Sequence, residues 1–174
     1  RKAEAVAIVG TRNPSEIALG AAQALAFEFA RRGYVIVSGL ALGIDRIAHM
    51  SALAAAGNTV AVLGGGVLNI YPPANKGLAD AICGRGALLS ESHPNAESKP
   101  AYLVARNRII SGLCSTLIVV ETHADGGAMH AARWAHEHQR ALYTLDLPAT
   151  GNQQLIDQGA IPLDPFNLQT LLNP

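Results

Sequence analysis

The sequence predicts a three-layer α/β fold in which a mostly parallel β-sheet is covered by helices on both faces. Segments rich in β-branched residues alternate along the chain with segments whose apolar residues recur at helical spacing. The connections between these segments are short, which favours right-handed crossovers between parallel strands. A length of 174 residues with 49% hydrophobic and 15% charged residues fits one domain over 1–174 whose sheet is largely buried.

Strands and helices are predicted in strict alternation along most of the chain. Strands are expected at 5–9, 35–38, 59–63, 88–90, 116–120 and 141–145. Helices are expected at 15–32, 44–56, 75–83, 125–138 and 152–158, with a short helix or turn at 106–111. The polar segment 91–100 is predicted to be a loop, and 162–174 a C-terminal tail outside a core of 5–161.

The first helix has the clearest boundary signals in the chain. Pro14 is suited to the opening of a helix, and the Ser15 hydroxyl can accept a hydrogen bond from the first turn. Gly33 can adopt the left-handed conformation that ends a helix. We therefore expect this helix to begin directly after the loop that contains Arg12.

Composition and charge restrict the function classes. The formal net charge is zero, which disfavours a strongly basic protein that coats DNA but leaves room for a local basic patch. No apolar run approaches the roughly 18 residues that span a bilayer, and no secretory leader is apparent, so a cytoplasmic protein is expected. Cys83 and Cys114 lie outside any C-x-x-C motif and are expected to be reduced, buried thiols.

Glycine-bearing loops follow four of the predicted strands, at Gly10, at 39–43, at 64–66 and at 126–127. A loop of small residues that runs from a strand into a helix exposes backbone N–H groups beside the positive end of the helix dipole, and this arrangement holds anions. The stretch 35–46 is the clearest case, with a buried strand, Ser38, two glycines and then helical spacing. Because carboxyl ends of parallel strands share one edge of a sheet, the loops predict a phosphate-binding site there.

Arginine side chains near these loops supply positive charge. Arg12 lies in a strand-to-helix loop, where its guanidinium can make two parallel hydrogen bonds with a phosphate. Arg106 and Arg108 would point about 160° apart on a helix, so we expect one to face the ligand and the other to pair with a carboxylate. Lys99 is a further cation in the polar loop. Tyr71 and Tyr102 are the aromatic residues near these loops and are candidates for stacking on a base.

Three carboxylates fall near strand ends and have structural interpretations. Asp45 is expected to complement the dipole of its helix, rather than to act in acid–base chemistry. Glu121 is expected to hold an arginine or a backbone amide. Glu91 is the third, and sequence alone assigns none of them a catalytic pKa.

Several catalytic and cofactor motifs are missing from the sequence. There is no G-x-x-x-x-G-K-[ST] and no well-placed G-x-G-x-x-G, which disfavours ATP hydrolysis and ordinary NAD binding. The serines lack the G-x-S-x-G context of a hydrolase nucleophile. The histidines at 123, 130, 136 and 138 do not have the H-x-x-x-H spacing of a helical zinc site, so neither a metal nor a cofactor is expected.

These residues resemble the DNA-processing protein A family (DprA, also called Smf). The matching motifs run in order from about Val6 to Ala160: G-T-R at 10–12, S-G-L-A-L-G-I-D at 38–45, V-A-V-L-G-G-G-V at 60–67 with I-Y-P at 70–72 and Asn75, R-N-R-I-I-S-G-L at 106–113 and V-V-E at 119–121. The resemblance implies an extended Rossmann-like domain that binds single-stranded DNA. It also implies transfer of that DNA to the RecA recombinase during natural transformation, a homodimer, and no established catalytic activity.

The resemblance and the glycine loops together give one set of candidate DNA- or phosphate-binding residues. By position, the family resemblance assigns Arg12, the loop from Ser38 to Gly43, Arg106 and Asn107, and places Lys99 in the right region. The full set is Gly10, Thr11, Arg12, Ser38, Gly39, Leu40, Gly43, Gly65, Gly66, Lys99, Arg106, Asn107, Gly126 and Gly127.

Two alternatives stay open from the sequence. The segment 126–132 lacks the hydroxyl residues that the family shows there, which favours a sensor module that binds a free nucleotide or an NAD-derived signal. A phosphoribohydrolase of similar fold is disfavoured because its P-G-G-x-G-T-x-x-E run is missing from the sequence.

Overall fold

The computed structural model describes residues 4–172, so the predicted outer ends of the domain, 1–3 and 173–174, lie outside the described residues. Within that range seven parallel strands form one sheet in the order β4-β3-β2-β1-β5-β6-β7. The strands are β1 (Ala5–Val9), β2 (Val35–Ser38), β3 (Thr59–Val62), β4 (Gly86–Leu89), β5 (Thr116–Val119), β6 (Ala141–Leu145) and β7 (Ile161–Leu163). The predicted α/β class with a parallel sheet is confirmed.

Helices cover both faces of this sheet. They are α1 (Glu16–Arg31), α2 (Ile44–Ala54), α3 (Lys76–Cys83), α4 (Pro100–Ala105), α5 (Asn107–Leu113), α6 (Ala128–Glu137), α7 (Thr150–Asp157) and α8 (Gln169–Leu172), with a 3₁₀ turn at Pro73–Asn75. Side chains of β1 alternate between two cores, as successive strand residues must. Val6 and Ile8 pack with α1 and α2, whereas Ala7 and Val9 pack with α5 and α6.

The order of the strands reverses at β1, which lies between β2 and β5. The chain moves outward through β2, β3 and β4, and then returns to the other side of β1 through β5, β6 and β7. Loops that leave the carboxyl ends of β1 and β5 therefore diverge to opposite faces of the sheet. The divergence of the two loops leaves a crevice at the carboxyl ends of these strands, and ligands of parallel α/β folds bind in crevices of this kind.

The boundaries of α1 are those that the sequence predicts. Ser15 is the N-cap, and its Oγ accepts a hydrogen bond from the Ala18 amide at 3.2 Å. Gly33 has a φ of +88° just beyond the helix, in the left-handed region that favours glycine. The loop before this helix is consequently held at a fixed starting point.

The sequence predicts a loop at 91–100 and a short helix or turn at 106–111, and this prediction missed the helix α4 between them. α4 begins at Pro100, a residue suited to the first turn of a helix, and α5 follows from Asn107 with scarcely a break. β4 also begins two residues earlier and ends one residue earlier than the predicted 88–90. The α4–α5 segment lies at the carboxyl edge of the sheet, where it forms one wall of a cleft.

The predicted C-terminal tail at 162–174 is wrong for the part that the structure describes. β7 pairs with β6 as an edge strand, and Pro162 is tolerated there because an edge strand leaves one side unpaired. Leu163 and Leu172 are buried in the same core as α1. A strand of three residues with a proline has too little pattern to be recognised in the sequence.

The cysteines differ in environment and neither forms a disulfide. Cys114 is buried, as predicted, whereas Cys83 is exposed at the end of α3, where burial was expected. Burial raises the pKa of the Cys114 thiol. None of the helices within 4–172 has the length and apolar content needed to cross a membrane.

Candidate nucleic-acid interface

A cleft of about 590 Å³ opens at the carboxyl edge of the sheet, where the loops after β1 and β5 diverge. One wall is the β1–α1 loop, a second is the β5–α6 loop, and α4 and the start of α5 close the third side. Seven of the candidate residues line this cleft, namely Gly10, Thr11, Arg12, Arg106, Asn107, Gly126 and Gly127. Glycines of two of the four predicted loops, at Gly10 and at 126–127, thus meet in this cleft, whereas glycines of 39–43 and 64–66 do not line it.

The β1–α1 loop is held at both ends by Glu121. The Thr11 amide donates to the backbone carbonyl of Glu121 at 2.7 Å, and the Ser15 amide donates to its Oε2 at 2.7 Å. The prediction that Glu121 holds a backbone amide is confirmed. Arg12 lies between these two anchor points, is exposed, and lines the cleft.

The β1–α1 and β2–α2 loops touch each other through their glycines. A Cβ at Gly10 would lie 2.7 Å from Cγ1 of Ile44, and the Ile44 amide donates to the Thr11 carbonyl at 3.1 Å. Gly43 has a φ of +75°, and a Cβ there would overlap the Thr11 carbonyl oxygen. This close approach places Arg12 beside the β2–α2 loop, where the two share a small pocket with Leu42.

Most of the polar groups in the β2–α2 loop are already used within the protein. Oδ2 of Asp45 accepts hydrogen bonds from the amides of Gly39 at 3.0 Å and Ala41 at 3.5 Å. The Ser38 hydroxyl donates to the Ile8 carbonyl at 2.6 Å, and the side chains of Ser38 and Leu40 have no exposure. The two amides that the sequence offers to a phosphate therefore hold a carboxylate instead.

Asp45 thus has a different role from simple compensation of the helix dipole, although it does lie in the first turn of α2. Its burial raises the pKa of the carboxyl, and the Arg106 guanidinium and the two loop amides oppose that shift. The amides of Leu42 and Gly43 have no acceptor among the described residues. These are the loop N–H groups that stay available to an anion.

Arg106 is a buried strut between strands. It is 9% exposed, and its Nη1 donates to the carbonyls of Gly39 and Val62 at the ends of β2 and β3. Its Nε donates to the Leu103 carbonyl at 3.2 Å. Burial lowers the pKa of this guanidinium, and the nearby Asp45 carboxylate opposes the shift. Because Nη2 has no acceptor among the described residues, only that end of the guanidinium is left for a ligand.

Arg108 points away from the cleft and pairs with Glu91, as expected for one of the two arginines. The ion pair is on the surface, where both side chains are about half exposed. Asn107 lies between the arginines and is buried, with its Nδ2 3.4 Å from the Gly127 carbonyl. This contact joins the start of α5 to the β5–α6 loop across the cleft.

Gly126 and Gly127 lead into the N-terminus of α6. The Gly126 amide donates to the His123 carbonyl at 2.9 Å, whereas the amides of Gly127 and Ala128 have no acceptor among the described residues. His123 and Asp125 line this end of the cleft. The site therefore has an arginine at one end and free helix amides beside a carboxylate at the other.

Gly65 and Gly66 lie outside the cleft lining. The Gly66 amide donates to the Ala96 carbonyl at 2.9 Å, and a Cβ at Gly66 would overlap the Pro94 carbonyl. These glycines allow the 91–99 segment to pack directly over the end of β3. Their close contact with that segment accounts for the glycine run after β3.

Lys99 also lies outside the cleft lining, just before α4. Its Nζ is 5.8 Å from the centre of the Tyr102 ring, and both residues are exposed. Tyr71, which precedes a cis proline, is 47% exposed and lines the cleft beside Arg12. The two tyrosines singled out in the sequence therefore belong to different surfaces.

Two buried asparagines organise the loops and were missed as such from the sequence. Nδ2 of Asn152 donates to the carbonyls of Val120 and Leu145 at 2.9 Å each, and its Oδ1 accepts from the Thr122 amide at 2.8 Å. Asn75 starts α3 as predicted, but its side chain makes no capping bond there. Its Nδ2 donates instead to the Leu40 carbonyl at 2.8 Å. No local motif marks either role, because the partners are distant in the chain.

Within residues 4–172 no three metal-ligating side chains lie close enough together to hold a metal ion.

Comparison with known proteins identifies the family of this chain. The sequence profile of the DNA recombination-mediator protein A family matches residues 1–171. The chain belongs to this family. It is 40% identical over 164 residues to DNA processing protein DprA of Bacillus subtilis, with 91% of this chain and 55% of the relative covered. It is 38% identical over 162 residues to protein Smf of Escherichia coli, with 90% of this chain and 43% of that protein covered. The chain thus spans about half the length of these DprA relatives.

Solved DprA structures have the same fold. A DprA structure from Helicobacter pylori, described in terms of its single-stranded DNA binding mode, aligns with a TM-score of 0.90 at 33% identity, over 98% of this chain and 79% of that chain. DprA from Streptococcus pneumoniae aligns with a TM-score of 0.85 at 35% identity, over 97% of this chain and 62% of that one. The predicted Rossmann-like fold and the DprA resemblance are confirmed.

Proposed function

We propose that this domain binds single-stranded DNA in the cleft between the β1–α1 and β5–α6 loops. The observation that carries the proposal is the exposed Arg12 at the rim of a cleft at the strand-order switch point, on a loop whose Thr11 and Ser15 amides are held by Glu121. A guanidinium recognises phosphate through two parallel hydrogen bonds. The Bacillus subtilis relative is named a DNA processing protein, and the Helicobacter pylori structure is described in terms of single-stranded DNA binding.

The cleft offers phosphates three kinds of donor. Arg12 supplies a full charge, Nη2 of Arg106 supplies a second donor, and the free amides at the start of α6 supply dipoles. None of these groups reads a base edge, so binding should tolerate any sequence. Tyr71 provides an exposed ring at the same rim on which a base can stack.

The wider role is proposed from the resemblance to the family and not from the geometry. We place this domain in a cytoplasmic protein that receives single-stranded DNA during natural transformation and passes it to a RecA-type recombinase, as a homodimer. The proposed task is binding without catalysis. The proposal that this domain lacks catalysis is supported by Asp45 and Glu121, whose carboxylates accept hydrogen bonds from backbone amides.

Binding of a fluorescent dT oligonucleotide of about 15 nucleotides tests the proposal. We expect Arg12→Ala to weaken binding about ten-fold or more, since a charge-assisted hydrogen bond to phosphate contributes about 1.5–3 kcal/mol. Arg31→Ala is the matched control, because Arg31 is an exposed arginine paired with Glu28 at the far end of α1. Equal affinity of wild type and Arg12→Ala would overturn the proposal.

A free nucleotide is the second candidate ligand. The Asp125 carboxylate at the α6 end of the cleft repels a continuing phosphate chain but can accept hydrogen bonds from a base or sugar. Two measurements separate these candidates. In a competition assay, AMP should displace an oligonucleotide only weakly from a DNA-binding domain. In a thermal-shift assay, a nucleotide sensor should respond to mononucleotides and not to dT oligonucleotides.

A further inference from the structure

We infer that a second cavity, on the other side of α4 from the cleft, accepts an unstacked base of the same DNA strand. The inference rests on the proposed function. This cavity has a volume of about 440 Å³ and is bounded by α4, the start of α5 and the 91–96 segment. Arg106 lines both this cavity and the cleft, so the two spaces are separated only by the α4–α5 segment.

The walls of the second cavity suit a base better than a phosphate. Leu63, Ala96 and Ile109 are apolar, and Tyr102 adds an aromatic ring that is 42% exposed. The carboxylate of Glu91 also lines the cavity and is paired with Arg108. Arg106 is the one arginine or lysine among the described lining residues, and its Nη1 is already bonded to backbone carbonyls. A phosphate would meet the Glu91 charge, whereas an aromatic base would stack on Tyr102.

His93 adds a hydrogen-bond donor to the same cavity. Its Nδ1 accepts the Asn95 amide at 3.3 Å, which places the ring proton of a neutral His93 on Nε2. A carbonyl of a base can accept from that Nε2–H. One donor and one stacking ring recognise a base without selecting a particular one, which matches the sequence tolerance expected of the cleft.

Lys99 lies beside both spaces, because its neighbours Ser98 and Pro100 line the cleft and Tyr102, near its ammonium, lines the second cavity. It precedes Pro100 at the start of α4, and its ammonium is 5.8 Å from the Tyr102 ring centre. A phosphate bound by this ammonium would join a nucleotide in the cleft to a base on Tyr102. This path gives a function to Lys99 and Tyr102, which the cleft itself does not use.

Oligonucleotide length distinguishes the second cavity from the cleft. We expect Tyr102→Ala to weaken binding of a dT oligonucleotide of about 12 nucleotides by about five-fold or more, the usual effect of losing one stacked base. The same variant should bind a dT oligonucleotide of about 3 nucleotides as wild type does, because the short strand fills only the Arg12 cleft. Tyr102→Phe keeps the ring and should bind both lengths normally.

A variant that is expected to strengthen binding distinguishes a specific effect from damage to the fold, which would only weaken binding. Glu91→Gln removes a negative charge from the cavity and leaves Arg108 uncompensated, so the long oligonucleotide should bind more tightly. The slope of log affinity against log salt should become steeper by about 0.7, the contribution of one further phosphate on single-stranded DNA. Both changes should be missing with the short oligonucleotide.

The outcomes separate this inference from the proposed function. If wild type binds neither length, the proposed function fails. If Arg12→Ala weakens binding of both lengths but Tyr102→Ala changes neither, or changes both equally, the second subsite is wrong and the cleft stands.

Discussion

Arg12 and Arg106 line the same cleft, yet their surroundings differ completely. Arg12 is exposed on a loop whose two ends are fixed by Glu121. Arg106 is 9% exposed and donates to three backbone carbonyls. The contrast teaches that an arginine lining a cleft can commit most of its hydrogen bonds to the fold and leave only one end of its guanidinium for a ligand. Position near a phosphate site is insufficient evidence for contact with phosphate until the other hydrogen bonds of the guanidinium are known.

The largest expected effect is the loss of stability in Arg106→Ala. The substitution leaves carbonyls of Gly39 and Val62 without their donor and removes the cation whose charge favours the ionised form of the buried Asp45. We expect the free energy of unfolding to fall by about 3 kcal/mol or more, as for removal of one member of a buried charged network. Urea denaturation measures this difference.

Arg108→Ala is the control for that measurement. Arg108 is two residues away, exposed, and paired with Glu91 on the surface, so its removal should cost less than about 1 kcal/mol. Similar losses in the two variants would contradict the structural role of Arg106 in joining the ends of β2 and β3. Gly39→Ala tests the same packing independently, because a Cβ there would overlap the Arg106 guanidinium.

A second prediction concerns the buried His49, which should make the free energy of unfolding depend on pH. His49 has no exposure, its Nδ1 is 2.7 Å from the Thr59 hydroxyl, and burial lowers its pKa from 6.5 to about 3. Unfolded chains take up a proton at this histidine below pH 6.5, whereas the folded protein resists until about pH 3. The stability contribution is therefore fully present above pH 6.5 and is lost as the pH falls through this window.

The slope of stability against pH is the observable for His49. One proton contributes at most about 1.4 kcal/mol per pH unit, so the unfolding free energy of His49→Asn should depend less steeply on pH between 6.5 and 3 by up to that amount. His136→Asn, at an exposed histidine on α6, should keep the wild-type slope. An unchanged slope in His49→Asn would contradict the burial argument.

The smallest of these effects is expected at the N-cap of α1. Ser15→Ala removes the hydroxyl that accepts the Ala18 amide, which should lower the free energy of unfolding by about 1 kcal/mol. Because the Ser15 amide still donates to Glu121, the Arg12 loop should keep its position and the affinity for dT oligonucleotides should stay near that of wild type. Ser15→Thr keeps the cap and is the matched control. A large loss of DNA affinity in Ser15→Ala alone would mean that the cap, and not Glu121, positions the loop.

The sequence was informative about the fold where its signals are local. β-Branched runs marked β1, β2, β3 and β5, and Ser15 and Gly33 marked the ends of α1. β7 was missed because it is a three-residue edge strand, and α4 because the polar segment before it carries no helical periodicity. Short elements of this kind are fixed by tertiary contacts rather than by pattern.

The candidate site was predictable in location but only partly in chemistry. Glycine loops after parallel strands indicated the edge of the sheet at which the cleft opens, and the DprA resemblance indicated the family. The capture of loop amides by Asp45 and the carbonyl bonds of Arg106 were hidden, because the partners of Arg106 at Gly39 and Val62 are 67 and 44 residues away. Hydrogen bonds between distant segments leave no spacing in the sequence.

The salt dependence of oligonucleotide binding tests the central claim most directly. With about three phosphates neutralised, the slope of log affinity against log salt for wild type should be near −2 on single-stranded DNA. Arg12→Ala should reduce the magnitude of that slope by about 0.7, the contribution of one phosphate contact. A wild-type affinity that ignores salt, or an identical slope in Arg12→Ala, would contradict a phosphate-binding cleft centred on Arg12.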